Sequence, residues 1–436
     1  MNRRELLAGK TVSRKAKSRT STPNASRQVS RANTPYHSDD EADMSDTTQW
    51  STNSIDDLIA SAEDDKTPDA WTAFLDEKMN EICDRKRSSV QGREDSLQAF
   101  IAGLTRHYGK QEIKRKMGEL VPSLLKSVKS GQTERETVLA LKALALMLVT
   151  DPSEDFYDTV SGPVKTVVTD AQHPTAKIAA MHVLSVATFY GGASMEEVES
   201  IMDFFLEIAS SDGSSIEEAD NAEVVVTALE EWGFLATQLE DLEESTEVAM
   251  DTFVDQLESG DAGVLTAAGD NIALLYEKSY TEAESDDEVE EGENENQLFA
   301  DGNANNGNRD VMIKRYTVYR QKHRLEQQLA ELAKASSKRL SKKDRKSLHM
   351  TFTDILHTVE KPTRGPRYST ALDEDGYEMG SRLKINVQNG GKMTIDKWWK
   401  LHRLNALKRL LQSGFLEHYE NNQVVFDTLP VEVEGE

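Results

Sequence analysis

Arginines and lysines interleaved with aromatic rings are the side chains of this sequence best suited to chemistry, and that chemistry is the binding of polyanions. Tyr316, Tyr319, Arg320, Lys322 and Arg324 lie close together, and Lys342, Lys343, Arg345 and Lys346 follow. Tyrosine rings can stack on nucleobases while the cations neutralise phosphates. The same residues suit a second arrangement, in which the tyrosines pack into protein and the cations bridge to an acidic surface; the sequence leaves both open. Near the N-terminus Arg14, Lys15, Lys17 and Arg19 form a cluster, a composition shared by nuclear import signals, RNA-binding arms and solubilising tails. A third set, Lys400, Arg403, Lys408 and Arg409, follows Trp398 and Trp399. With Leu401 and Leu404 at helical spacing, one tryptophan is expected to anchor a core and the other to offer a contact surface. These cations are the candidate nucleic-acid-binding residues.

No arrangement for catalysis accompanies them. Gly9-Lys10-Thr11 ends like a phosphate-binding loop, but Arg4 stands where the first glycine of that loop belongs. Asp373 and Asp375 ahead of Gly376 open like a calcium loop, yet the glycine comes too early and no glutamate closes the loop, so a solvent turn is expected. The patterns of serine hydrolases, zinc peptidases and dinucleotide-binding loops are missing. Glu230-Glu231 and Glu243-Glu244 are expected on solvated helix faces, and His182, among Ala180, Met181, Val183 and Leu184, is expected as a satisfied core histidine. Cys83 is the single cysteine, so there is no intrachain disulfide and no cysteine-rich zinc site. The expectation is a non-enzyme with no cofactor, no metal and no small-molecule substrate.

Charge is sorted unevenly along the chain. Residues 178–308 hold 33 Asp and Glu, and Lys278 is their one base, so this stretch carries −32 of a chain whose net charge is −26. The bases concentrate in residues 1–37, with nine Lys and Arg against Glu5, and in residues 309–349, with thirteen against four acids. Such segments can meet phosphate only locally, because the acidic body repels it. No apolar run long enough for a membrane span is present, and the basic N-terminus lacks the apolar stretch of a secretory signal. With one cysteine, this is the profile of a cytoplasmic or nuclear protein, or one that visits both.

The elements that must position these residues are helical. Residues 1–68 hold too few large apolar side chains to offset ordering entropy and read as a disordered arm, basic and then acidic. Residues 282–308 read as an acidic, Asn-rich linker. Between them the apolar spacing is that of helices: Leu97, Phe100, Ile101, Leu104 and Tyr108 share one face. Thr133-x-x-Glu136 and Ser194-x-x-Glu197 have capping-box spacing, and Gly131, Gly191 and Gly192 stand where helices should stop. Four short segments, Val121–Gly131, Pro163–His173, Ile201–Gly213 and Ala249–Asp261, align with one another. Each precedes a longer helix expected to start near Glu134, Thr175, Ala219 and Ala262, spaced by 41, 44 and 43 residues. That period belongs to armadillo or HEAT-like helix pairs, so residues 69–281 are expected to form an all-α solenoid. Trp232, flanked by Leu229 and Leu235, should be buried within it. Beyond the linker, residues 309–361 read as a basic helical segment: one helix from Val311 to Ser336, a basic hinge, and a second helix from Thr353 to Glu360. A loop insert (362–381) then leads to a small C-terminal unit (382–436) with a turn at Asn389-Gly390-Gly391 and an amphipathic helix from Ile395 to Leu411.

KKDRKSLHMTFTDILHTVE (342–360), followed by IDKWWKLHRLNALKRLLQSGFLEHYENNQVVFDTL (395–429), resembles the C-terminal pattern of the interferon-related developmental regulator family. LKSVKSGQTERETVLALKALALML (125–148), ALEEWGFLATQL (228–239) and AAGDNIALLYE (267–277) are similar to its N-terminal domain. The resemblance implies a non-enzymatic, armadillo-like protein of one of two kinds: a translational regulator associated with the ribosome and its RNA, or a nuclear transcriptional co-regulator that scaffolds histone-deacetylase complexes. Two departures accompany it. The sequence ends in VEVEGE (431–436), where relatives are expected to continue into a basic tail, and the stretch between Pro362 and Lys392 is an insert.

Overall fold

A computed structural model of the chain describes residues 68–84, 88–283, 297–299, 311–334, 342–366, 383–386 and 392–430. Residues 54–436 form one compact unit. The basic arm with Arg14, Lys15, Lys17 and Arg19, most of the linker and the Asn389-Gly390-Gly391 turn lie outside the described residues.

The fold is an all-α solenoid of armadillo type. Its helices are α1 (Pro68–Cys83), α2 (Val90–Arg106), α3 (Lys110–Ser130), α4 (Glu134–Thr150), α5 (Phe156–Asp170), α6 (Pro174–Tyr190), α7 (Met195–Ser210), α8 (Ala222–Ala236), α9 (Glu243–Gln256) and α10 (Ala262–Lys278). After a small sheet come α11 (Lys322–Lys334) and α12 (Lys342–Glu360). Consecutive helices pair, and every second helix packs on the next but one: α2 on α4, α4 on α6, α6 on α8, α8 on α10 and α10 on α12. An inner ridge of even-numbered helices therefore backs onto an outer layer of odd-numbered ones.

Sequence assigns each helix to its layer. α4 (ERETVLALKALALMLVT) and α6 (PTAKIAAMHVLSVATFY) are apolar nearly all round and rich in alanine, so they bury both faces and let neighbours approach closely. α5 buries only Phe156, Tyr157, Val160, Val164 and Val168, one stripe of an outer helix. Trp232 is buried as expected, edge-to-face with Phe253 at 4.8 Å between ring centroids.

The helix starts follow the predicted caps. The Ser194 hydroxyl accepts from Glu197 N while Glu197 reaches back to Ser194 N, a complete capping box. Thr133 accepts from Glu136 N at 3.1 Å, but the Glu136 carboxylate instead receives the Arg93 guanidinium at 3.0 Å and ties α4 to α2. Three of the four expected starts lie within one residue of those observed. The third moves from Ala219 to Ala222, because Asp212, Gly213, Glu217 and Asp220 take positive φ around a short 3-10 turn at Ser214–Ile216. Ile216 is buried there, and its carbonyl accepts from the buried Lys177 ammonium.

The basic segment differs from its expected form. Val311 to Ser336 is not one helix. Val311–Lys314 forms a strand, β3, pairing antiparallel with β1 (Tyr280–Glu282) on one side and β2 (Gln297–Phe299) on the other. The strand at Gln297–Phe299 also interrupts the stretch read as a linker. Residues 315–321 are irregular, and the helix starts only at Lys322. Of the apolar residues expected on one helix face, Met312 and Ile313 lie in β3 beside partner strands, and Tyr316 turns inward together with Val318, two positions on, in an extended stretch. Conversely, the expected hinge, residues 336–350, belongs to α12 from Lys342 onward, so that helix starts at Lys342 rather than Thr353.

The C-terminal unit is a hairpin followed by three helices. β4 (Leu383–Asn386) pairs with β5 (Lys392–Ile395), and α13 (Trp398–Leu411), α14 (Phe415–Asn421) and α15 (Gln423–Thr428) follow.

Candidate functional site

α13 carries the sequence WWKLHRLNALKRLL and buries residues on every side: Trp398, Leu401, Leu404 and Leu407, but also Lys400 and His402. A helix buried all round has protein on more than one face. Here that protein is the inner ridge, because α13 packs on α4, α8 and α10, and α15 packs on α4. The groove in which helical-repeat proteins commonly hold a partner is thus filled by the chain's own C-terminal unit.

Polar contacts fix the unit along the ridge. At one end the Glu277 carboxylate of α10 accepts from the backbone nitrogens of Trp398 at 2.9 Å and Trp399 at 3.1 Å, capping α13 from outside. Burial raises the Glu277 pKa, while Lys397 and the two backbone donors pull against that rise. The Trp398 indole donates to Thr358 Oγ1 of α12 at 3.0 Å. In the middle, the Arg403 guanidinium donates to Thr237 Oγ1 and O at 2.9 Å and to Thr428 O at 3.2 Å, and it lies against the rings of Phe189 and Trp399. Arg409 meets Glu230 Oε2 at 2.6 Å and also pairs with Glu231. Further on, His418 bonds to Leu104 O at 2.9 Å and Asn422 Nδ2 donates to Val149 O at 2.8 Å.

Backbone approach is equally close. A Cβ on Gly414 would stand 1.8 Å from Thr105 O, and one on Gly233 would stand 2.2 Å from Asn271 Oδ1 and 2.5 Å from His402 Cε1. A side chain at Gly414 would collide with backbone, and one at Gly233 would have to displace two side chains.

The carboxylate pair expected on a solvated face divides instead. Glu231 is 1 % exposed and holds the His182 imidazole at 2.6 Å, the Ser185 hydroxyl and Arg409. Burial alone would raise its pKa, but Arg409, His182 and Ser185 outweigh burial and hold it below the usual carboxylate range. Glu243 and Glu244 are exposed, as expected. His182, expected as a satisfied histidine, has this carboxylate as its partner.

The candidate cations therefore sort by position. Lys400, Arg403 and Arg409 are turned inward: Lys400 is buried and bonds Asp396 at 2.9 Å, and the two arginines hold the ridge. Lys408 is half-buried, which lowers its pKa. Of the two tryptophans Trp398 is the anchor and Trp399 is half-buried under Arg403. Arg320, Lys322 and Arg324 stand elsewhere, at the junction of β3 and α11. Arg320 and Arg324 are exposed, and Lys322 is partly so, 3.7 Å from Glu326. The Arg320 side chain is 89 % exposed and lies 3.3 Å from Glu247 of α9, itself 80 % exposed. Tyr316 packs into the solenoid. Of the two arrangements left open by the sequence, Tyr316 and Arg320 take the second, with the ring inward and the cation beside an acidic helix. Lys342, Lys343, Arg345 and Lys346 occupy the first turns of α12, and their side chains lie outside the described residues.

The seating residues Glu277, Thr237, His418 and Asn422 were not singled out by sequence, and Glu231 was placed on a solvated face. Among the acids the only local hint is that Glu277 precedes Lys278, the one base of the acidic stretch.

A sequence model described as interferon-related developmental regulator matches residues 39–360, from the N-terminal arm through the last residue of α12. An uncharacterized protein of Schizosaccharomyces pombe is 25% identical over 392 residues, covering 88% of this chain and 80% of its own length. Interferon-related developmental regulator 1 is 23% identical in Sus scrofa, over 77% of this chain, and 22% identical in Mus musculus, over 77%. The chain spans 66% and 67% of those two mammalian proteins. A match across the paired helices of the solenoid and both helices of the basic segment, with relatives aligned over most of the chain, places it: this protein belongs to the interferon-related developmental regulator family.

Proposed function

We propose that this regulator works without catalysis, by associating with ribosomes through contacts between its exposed cations and ribosomal RNA. The observation that carries the proposal is the division of the cations. Arg403 and Arg409 of the C-terminal unit are used to close the groove, whereas Arg320 and Arg324 are exposed and Lys322 partly so. Exposed, grouped cations suit a phosphate backbone, which asks for charge and little sequence selectivity. The acidic solenoid opposes approach by any other route, so the docked protein turns the β3–α11 junction toward RNA and keeps α7 and α9 away from it.

A nuclear co-regulator that holds a peptide in its solenoid groove is the competing role. The filled groove weighs against it, since a peptide would first have to displace Trp398, Leu401, Leu404 and Leu407 from the ridge.

The test is RNA binding by the full chain at two salt concentrations, with Arg320, Lys322 and Arg324 all changed to Glu. Loss of three phosphate contacts should weaken binding to all sequences alike and lower the salt slope by roughly 2–3. Unchanged binding would assign these cations to balancing α9 instead.

A further inference from the structure

We propose that Thr317 is a phosphorylation site for a base-directed protein kinase, and that phosphate there shuts off polyanion binding by the neighbouring cations; the second half rests on the RNA association proposed above. Between β3 and α11 the side chains alternate. Arg315 is exposed, Tyr316 buried, Thr317 exposed and Val318 buried, and the pattern ends at the half-buried Tyr319. This is the alternation of an extended ribbon pinned by its two inward residues. It presents the Thr317 hydroxyl to solvent, where it makes no hydrogen bond among the described residues. Lys314 and Arg315 stand three and two positions ahead of it. Acidic pockets of a base-directed kinase read cations at such positions on an extended substrate.

The chemistry balances with ATP as co-reactant. Thr317 Oγ1 forms a bond to the γ-phosphorus, the bond from that phosphorus to the bridging oxygen breaks, ADP leaves, and the hydroxyl proton passes to the kinase's base. The product carries about −1.5 to −2 charges. Tyr316 and Val318 hold the ribbon to the solenoid, so the new charge cannot swing away. It stays three residues ahead of Arg320, which already faces Glu247, and five and seven ahead of Lys322 and Arg324. The phosphate then competes, within the molecule, for the groups that would meet RNA.

The full chain should be treated with ATP and a purified arginine-directed serine/threonine kinase, the modified residue located by peptide mass spectrometry, and affinity measured for a labelled ribosomal RNA fragment. The expected result is phosphate on Thr317, a loss of affinity on the order of tenfold, and a salt slope lowered by about 2. The Thr317→Val protein should bind RNA like the unmodified chain and keep its affinity after kinase treatment. Thr317 left unmodified while other residues of the chain are labelled would overturn the proposal. Phosphate on Thr317 with unchanged affinity would overturn the switch alone, whereas an unmodified chain with no affinity for RNA would overturn the RNA reading and the switch together.

Discussion

Glu277, at the end of α10, caps the helix that starts at Trp398, with 2.9 Å between its carboxylate and a backbone nitrogen 121 residues later in the chain. The contact joins the acidic solenoid to the C-terminal unit and makes the two parts one folded body. Exchanging the carboxylate for an amide in Glu277→Gln keeps one acceptor oxygen and loses the charge. A destabilisation of about 1–2 kcal/mol is expected, the range for loss of a charged cap. Glu277→Ala should cost more, because both nitrogens are then left unpaired in a buried place. Denaturant unfolding of the two variants checks the order.

Close backbone approach predicts a second effect. Gly414→Ala would push a methyl group into Thr105 O, and Gly233→Ala would push one into Asn271 and His402. Each should destabilise by about 1–3 kcal/mol. Gly118→Ala, in α3 with nothing near its added carbon, should instead stabilise by about 0.5–1 kcal/mol. Melting temperatures of the three variants separate seating from ordinary helix propensity.

Burial of the seam also makes stability depend on pH. His402 is held neutral by burial, its pKa pushed down to about 4, whereas the unfolded chain takes its proton near the ordinary histidine value. Its contribution is complete above pH 6.5 and is lost as pH falls toward 4, by something on the order of 2–3 kcal/mol. Asp270 works in the opposite sense. Burial, with Glu230 and Asp354 nearby, pushes its pKa up to about 8, so its contribution is present below the usual aspartate value and lost as pH rises toward 8. Thermal unfolding across this range should show that His402→Gln flattens the acid limb and Asp270→Asn raises stability on the alkaline side.

Within the solenoid, Trp232→Ala empties a site shared with Phe253 and should cost about 3–5 kcal/mol. Guanidinium unfolding followed by circular dichroism measures it.

Period made the solenoid legible. Apolar residues at helical spacing, caps such as Ser194 and Glu197, and a repeat of some forty residues are local features, and local features survive in a sequence read without its fold. The seating of the C-terminal unit was not legible, because Glu277 and Glu231 look like every other carboxylate of the acidic stretch. What distinguishes them is a partner more than a hundred residues away. For the same reason Arg403 and Arg409 read as free cations. Val311–Lys314 failed differently: a four-residue strand shows too little of its period to be told from part of a helix, and its partners, Tyr280–Glu282 and Gln297–Phe299, lie across the acidic run.

The filled groove has a consequence for truncation. Removing residues 382–429 would expose the apolar ridge that Trp398, Leu401, Leu404 and Leu407 now cover, so the shortened protein is expected to aggregate rather than to survive as a free peptide-binding solenoid. Light scattering of the truncated chain against the full one tests this.

Sedimentation through a sucrose gradient, with and without nuclease treatment of the lysate, tests the functional account most directly. The full chain should travel with ribosomal particles and remain on them after the messenger between them is digested. The variant with Glu at positions 320, 322 and 324 should stay at the top of the gradient while unfolding at the same temperature as the native protein. A native chain that never enters the ribosomal fractions, or a reversed variant that sediments as the native chain does, would contradict it.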